Sequence, residues 1–312
     1  MQLLQYHVRR LRLLIRRGGR TIAHALLGGL SVAVLDLARL FRPERLSDLA
    51  GSLARRFGPW VPEHRVARDN LVAAFPEKST KEIERILTGT WDNLGRIGAE
   101  FAHLDRLWSL SGTDAIGRIE VGQDTIERFL ALRDDGKPAL IFAAHTGNWE
   151  LPALAGPAYG VNTAALYRPP SIPAIDRAIF DRRSVNMGKM IAAGLDAPLR
   201  LAKALKDGVH VGMLVDQYVL RGVDVVFFGR TTKANPLLAR LARQVECPIH
   251  GVRVIRLPGH RFRVELTEAI APVRDASGEI DVQGTTQAII SVIEGWVREY
   301  PEQWLWQHRR WR

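Results

Sequence analysis

The sequence predicts an α/β protein: a mixed central sheet flanked by helices, preceded by an N-terminal membrane-associated helical segment. Three observations lead there. From residue 138 onward short apolar runs alternate with amphipathic stretches, as in a sheet layered between helices. Between residues 43 and 137 the apolar positions recur with helical spacing. Residues 1–42 join a basic helical face to an apolar stretch.

The first twenty residues hold Arg9, Arg10, Arg12, Arg16, Arg17 and Arg20 and no acid, while Leu4, Val8, Leu11 and Ile15 recur at helical spacing. An apolar stretch follows from Ile22 to Leu35, interrupted by His24 and closed by Asp36 and Arg39. A spanning helix needs roughly 20 apolar residues, and this stretch is shorter. It also makes a poor signal peptide, with a long basic region and no small-residue cleavage site. Residues 1–42 therefore read as an anchor lying on or dipping into the cytoplasmic leaflet, its arginines attracted to anionic headgroups. The alternative is a buried helix with a solvated basic flank.

Residues 43–137 are expected to form a helical region packed on the core. Residues 43–65, punctuated by Pro43, Gly58, Pro59 and Pro62, read as a connector. Ser79-Thr80-Lys81-Glu82 is a capping-box pattern, opening a helix whose stripe of Ile83, Leu87, Leu94, Ile97, Phe101 and Leu104 faces the core. Residues 138–312 form the α/β core with a Trp/Arg-rich C-terminal segment. Its expected strands are 138–144, 163–167, 209–215, 223–228, 248–256 and 261–266, and its expected helices 149–156, 173–192, 197–206, 235–245 and 284–299. The sheet should be mixed toward its end.

Composition narrows the function classes. Lys+Arg 44 against Asp+Glu 33 gives a net charge of +11, which suits an anionic partner: nucleic acid, a phosphorylated substrate or an acidic membrane surface. The single Cys247 excludes an intramolecular disulfide and a Cys-rich zinc site, and the histidines show no metal-ligand spacing. The charge gathers at the two ends and no nucleic-acid module is recognisable, so nucleic acid is not the expected partner.

The most informative segment is His145-Thr146-Gly147-Asn148-Trp149-Glu150, directly after the apolar run Pro138–Ala144. A histidine where a strand gives way to a loop stands where open α/β sheets keep their chemistry. His145 and Glu150 read as a base and its orienting carboxylate: the acid fixes one ring nitrogen, and the other takes a proton from a hydroxyl. No Ser, Cys or Thr nucleophile motif lies nearby, which points to direct attack by a substrate hydroxyl.

Four further clusters stand at strand ends. Arg168, in Tyr167-Arg168-Pro169-Pro170, can clamp a phosphate or be a surface ion pair. Asp216, in Asp216-Gln217, can orient a basic group, accept a substrate hydroxyl or simply cap a loop. Phe227-Phe228-Gly229-Arg230 closes the next strand. The tail Trp304-Leu305-Trp306-Gln307-His308-Arg309-Arg310-Trp311-Arg312 suits packing of the last helix onto the sheet together with an interfacial role.

These pieces resemble the late acyltransferases of lipid A biosynthesis, the lauroyl/myristoyl transferase family, within the glycerolipid-acyltransferase-like superfamily. The resemblance rests on the basic, apolar N-terminus and on Arg68-Asp69-Asn70-Leu71…Ala74-Phe75-Pro76. It continues through Trp91-Asp92-Asn93-Leu94-Gly95-Arg96…Glu100-Phe101, the His145–Glu150 segment and Tyr167-Arg168-Pro169. Asp216-Gln217, Phe227-Phe228-Gly229 and Pro301-Glu302-Gln303-Trp304…Trp306…His308-Arg309-Arg310-Trp311 complete it. The loop Arg230–Pro236 departs from the commonest family pattern.

The resemblance implies transfer of an acyl chain from acyl carrier protein to a hydroxyl of a lipid A precursor, at the cytoplasmic face of the inner membrane and its anionic surface. It implies His145 and Glu150 as the catalytic pair, and Gly147, Asn148, Trp149, Arg168, Asp216 and Gln217 as substrate-binding positions. No metal or organic cofactor is called for. Acylation of another lipid acceptor, such as a phosphatidylinositol mannoside or an ornithine lipid, stays open beside it, as does a basic nucleic-acid-binding protein from a different class.

Overall fold

A computed structural model describes residues 27–108 and 118–312. Most of the anchor expected over 1–42 lies outside the described residues. Its last part is helix α1, running through residues 27–38. No helix among the described residues is long and apolar enough to cross a membrane.

The helical region contains α2 (Pro43–Phe57), α3 (Pro62–Ala74), α4 (Thr80–Phe101) and α5 (Leu104–Leu107). The connector expected over 43–65 is thus mostly helix. Pro43 falls in the first turn of α2, where its missing N–H costs nothing, with acidic Glu44 beside it and basic Arg55 and Arg56 in the last turn. The capping box of α4 forms as expected: the Ser79 N–H donates to Glu82 Oε2 at 2.9 Å and the Glu82 N–H to Ser79 Oγ at 3.4 Å. The buried face of α4 includes Ile83, Leu87 and Ile97.

The remaining elements are β1 (Ile119–Val121), α6 (Gln123–Asp134), β2 (Leu140–Ala143), α7 (Leu151–Ala158), β3 (Thr163–Tyr167), α8 (Pro173–Ser184), β4 (Lys189–Ala192), α9 (Ala197–Lys206) and β5 (His210–Leu214). After them come β6 (Val223–Phe227), β7 (Arg230–Ala234), α10 (Leu237–Val245), β8 (Ile249–Leu257), β9 (Arg261–Leu266) and α11 (Val282–Glu299). The main sheet has the order β1-β9-β8-β2-β5-β3-β4. Strands β8, β2, β5, β3 and β4 are parallel, while β9 is antiparallel to β8 and parallel to β1. The sheet is mixed at the expected end.

Two boundaries change. Strand β1 brings the sheet into the region expected to be helical. The helix expected over 173–192 stops at Ser184, and Gly188, at φ +68°, turns the chain into β4.

Alternation along β2 divides the core. Leu140, Phe142 and Ala144 pack with Leu201, Leu205, Leu238, Ile289 and Ile293, from α9, α10 and α11. Ala139 and Ala143 pack with Phe129 and Leu132 of α6 and with Leu151, Leu154 and Ala155 of α7. Strands β6 and β7 form a separate hairpin, turned by Phe228 and Gly229 at φ 52° and 69°. Those angles suit a primed two-residue turn, and Phe228 is held there by donating its N–H to Glu294 Oε2 at 2.6 Å. Trp304 and Trp306 are buried in the core, which corrects the interfacial role expected of them. Buried Arg310 lies over the Phe227 ring and donates to Lys233 O at 2.8 Å; burial lowers its pKa to about 10.

Candidate active site

His145 follows β2 where the chain leaves the sheet, and the C-terminal segment fastens it there. Leu305 N–H donates to His145 O and Gly147 N–H to Gln303 O, both at 3.0 Å, and Thr146 bridges Trp304. Gly147 sits at φ +58°, and a Cβ there would lie 2.1 Å from Val254 O. Gly147→Ala should therefore shift the loop or strain it by about 1–3 kcal/mol, read as a lowered unfolding midpoint. An unchanged midpoint would show that the loop relaxes freely.

The carboxylate on His145 is Asp216, which corrects the expected pairing with Glu150. His145 Nδ1 lies 2.8 Å from Asp216 Oδ1, and the His145 backbone N–H donates to Oδ2 at 2.9 Å. Trp304 Nε1–H donates to the same Oδ2 at 2.7 Å. The sheet explains the pair: β2 and β5 are parallel neighbours with Ala143 opposite Leu214. Two residues further along each strand come His145 and Asp216. Burial alone would raise the Asp216 pKa, but the charge and hydrogen bond of His145 and the Trp304 donor outweigh it and hold the carboxyl below its ordinary value.

Glu150 stands at the start of α7 and faces α8. Its two oxygens take hydrogen bonds from Arg183 Nε at 2.8 Å and Nη2 at 2.6 Å. Both side chains line the cavity described below.

The loop rests on a buried polar network. Asn148 Nδ2 donates to Glu100 Oε2 at 2.8 Å, and Arg256 grips Glu100 with two bonds of 2.6 and 2.8 Å. Arg256 Nε also donates to Asn93 Oδ1, and Asn93 Nδ2 donates to Gly147 O and Gln303 O. This geometry places three of the expected substrate positions in the support of the loop and of His145. Asn148 is fully buried and serves Glu100. Gly147 has its N–H on Gln303. Asp216 is behind His145, bonded to it and to Trp304.

Trp149, Arg168 and Gln217 do reach the cavity, which has a volume of about 520 Å³. Trp149 sits 5.4 Å from the His145 ring, centroid to centroid, and Gln217 Nε2 lies 3.3 Å from His145 Nε2. Ile141 and Ala143 of β2, Ala165 of β3 and Gly212 of β5 form one wall, and Pro152, Ala153 and Gly156 on α7 the other. The cavity extends from His145 back to His210, at the start of β5.

A histidine backed by a buried carboxylate thus stands at the head of an apolar slot. The model of the bacterial lipid A biosynthesis acyltransferase family matches residues 21–312. The chain belongs to that family. No curated protein matches it.

Within this acyltransferase, sequence reasoning missed Arg183, Tyr218 and His308, which also line the cavity. Burial pushes the His308 pKa down. It also missed Glu100, Asn93, Arg256 and Gln303, which hold the loop. The quoted motifs contain Asn93, Glu100, Gln303 and His308 without revealing what they touch. Arg183 and Arg256 carry no local signal.

Proposed function

We propose that the protein moves an acyl chain from acyl carrier protein to a hydroxyl of a lipid A precursor, with His145 as general base and Asp216 as the carboxylate that orients it. The observation that carries this reading is the His145–Asp216 pair at the head of the cavity. With Nδ1–H donated to Asp216, Nε2 is the acceptor. The Gln217 amide nitrogen marks the side from which an acceptor hydroxyl would approach. Nε2 takes the hydroxyl proton and the oxygen attacks the thioester carbonyl. The tetrahedral intermediate collapses, and the departing thiolate recovers the proton from His145. The Trp149 N–H and the Gln217 amide are the oxyanion donors this arrangement favours.

Glu150 acts through Arg183, keeping a cation at the cavity wall. Arg168, exposed after β3, suits a phosphate of the acceptor. The acidic donor and the phosphorylated acceptor both match the basic charge of the chain.

The apolar cavity receives the acyl chain. It follows the strands from the level of Ala139 to His145, about 20 Å at about 3.3 Å per residue. An extended chain of roughly 16 carbons fills that length, since C–C bonds of about 1.5 Å in a zigzag advance about 1.25 Å each. A Cβ on Gly212 would meet nothing closer than Ile141 O at 4.0 Å, so a larger side chain there projects into open space. Gly212→Leu should shift donor preference to shorter chains by about tenfold or more, measured as kcat/KM across a thioester series. An unchanged preference would remove the chain from this cavity.

The N-terminal segment is the proposed anchor to the cytoplasmic face of the inner membrane. Exposed Leu27, Leu30, Val34 and Leu37 recur along α1 at helical spacing, with exposed Phe41 just beyond it, and support it. The function is tested by incubating the protein with acyl carrier protein thioesters and lipid A precursors, beside phosphatidylinositol mannoside and ornithine lipid, and weighing the products. Transfer only to one of the latter would reassign the acceptor.

A further inference from the structure

We infer that the rim of the cavity is itself a docking surface for an anionic lipid bilayer, separate from the N-terminal anchor. Strands β5, β3 and β4 are neighbours in the sheet. The loops leaving their C-terminal ends, residues 217–222, 168–172 and 193–196, therefore stand side by side at the edge where His145 lies. Leu220 and Leu195 occupy two of these loops, and Leu199 follows in the first turn of α9. They are 73%, 105% and 73% exposed. Single exposed leucines are ordinary. Three along one edge beside an apolar cavity, two on loops and one at the start of α9, suit an apolar partner.

The charges say which partner. Arg168, Arg200 and Arg221 are exposed on the same rim, and the Arg312 guanidinium lies over Tyr218. The three loops contain one carboxylate, Asp196, at 3.7 Å from Arg200. Arg168 and Arg221 make no ion pair among the described residues. Apolar tips between arginines suit acyl chains and anionic headgroups together.

The start of α1 joins this edge. A Cβ on Gly28 would lie 2.8 Å from Ala174 Cβ and 3.2 Å from Ile172 Cγ2, so α1 begins packed beside the loop after β3. The start of α1 and the cavity rim thus face the bilayer on the same side, and a lipid acceptor would pass into the cavity without crossing water. This inference takes its purpose from the acyltransferase reading, but its test does not depend on activity.

The test uses the full chain with Cys247→Ala, which removes a thiol that burial already raises to about 11. An environment-sensitive fluorophore is placed through Leu195→Cys, Leu220→Cys or, as a control at the opposite edge of the sheet, Ser277→Cys. On vesicles containing phosphatidylglycerol, the probes at 195 and 220 should shift to the blue and the control should not. Arg200→Glu with Arg221→Glu should weaken vesicle binding by about tenfold or more, each arginine near such a surface contributing about fivefold. Rim probes that stay in water while the protein binds vesicles, or that respond equally to neutral vesicles, would overturn the inference. Absence of acyl transfer in micelles beside a normal probe response would count against the enzyme reading alone.

Discussion

Asp216→Asn is expected to lower kcat by about 10²–10⁴ with the fold retained. An asparagine in that place still offers an oxygen to Trp304, so the local packing survives. Its amide can also donate to His145 Nδ1, which leaves the proton on Nε2 and removes the lone pair that would accept the substrate proton. The loss should fall on kcat, with donor KM little changed. Glu150→Gln should behave differently. It weakens the grip on Arg183 at the cavity wall, so its signature should include a raised KM and a lower unfolding midpoint. Loss confined to KM in Asp216→Asn would make Asp216 a packing residue.

Arg256→Ala is expected to destabilise the protein by about 3–5 kcal/mol, because it leaves Glu100 buried without its cation. The effect has a pH signature. Burial alone would raise the Glu100 pKa, but Arg256 outweighs it and holds the carboxyl below its ordinary value of 4.5. In the wild type the pair's contribution is fully present above that value and is lost as pH falls through the lowered folded value. In Arg256→Ala burial is opposed only by the neutral donors Ser47 and Asn148, so Glu100 takes up a proton more readily in the folded state of the variant than in that of the wild type. The deficit of the variant should be largest near neutrality and shrink toward pH 4. Denaturant midpoints of both proteins at the two pH values read this directly. A deficit independent of pH would show that lost packing, and not charge, dominates.

Much of this fold was legible because its signals are local. The run before His145 is continuous and apolar, as a strand buried on both faces must be, and the Ser79–Glu82 cap announces α4 within four residues. The mistaken partner of His145 has the opposite character. Glu150 is near in sequence, whereas Asp216 arrives through the pairing of β2 with β5, 71 residues away, and register between distant strands leaves no local trace. The signal was present in another form: two strands each end in a polar residue capable of proton chemistry, and both predicted strands stop just before it. The same reasoning covers Glu100 and Arg256, which meet across 156 residues. Strand β4 escaped notice because four residues after an amphipathic stretch look like its continuation. The polar segment Arg230–Ala234 reads as a loop until the hairpin turn at Phe228-Gly229 is seen.

His145, held by Asp216, is the proposed base of an acyl transfer. Its most direct test is transfer in detergent micelles from acyl carrier protein thioesters of several lengths to a lipid A precursor, read by mass, with wild type beside His145→Ala and Asp216→Asn. Product is expected from the wild type and a fall of about 10²–10⁴ in both variants, with unfolding midpoints close to the wild type's. Transfer that persisted undiminished in His145→Ala would contradict it.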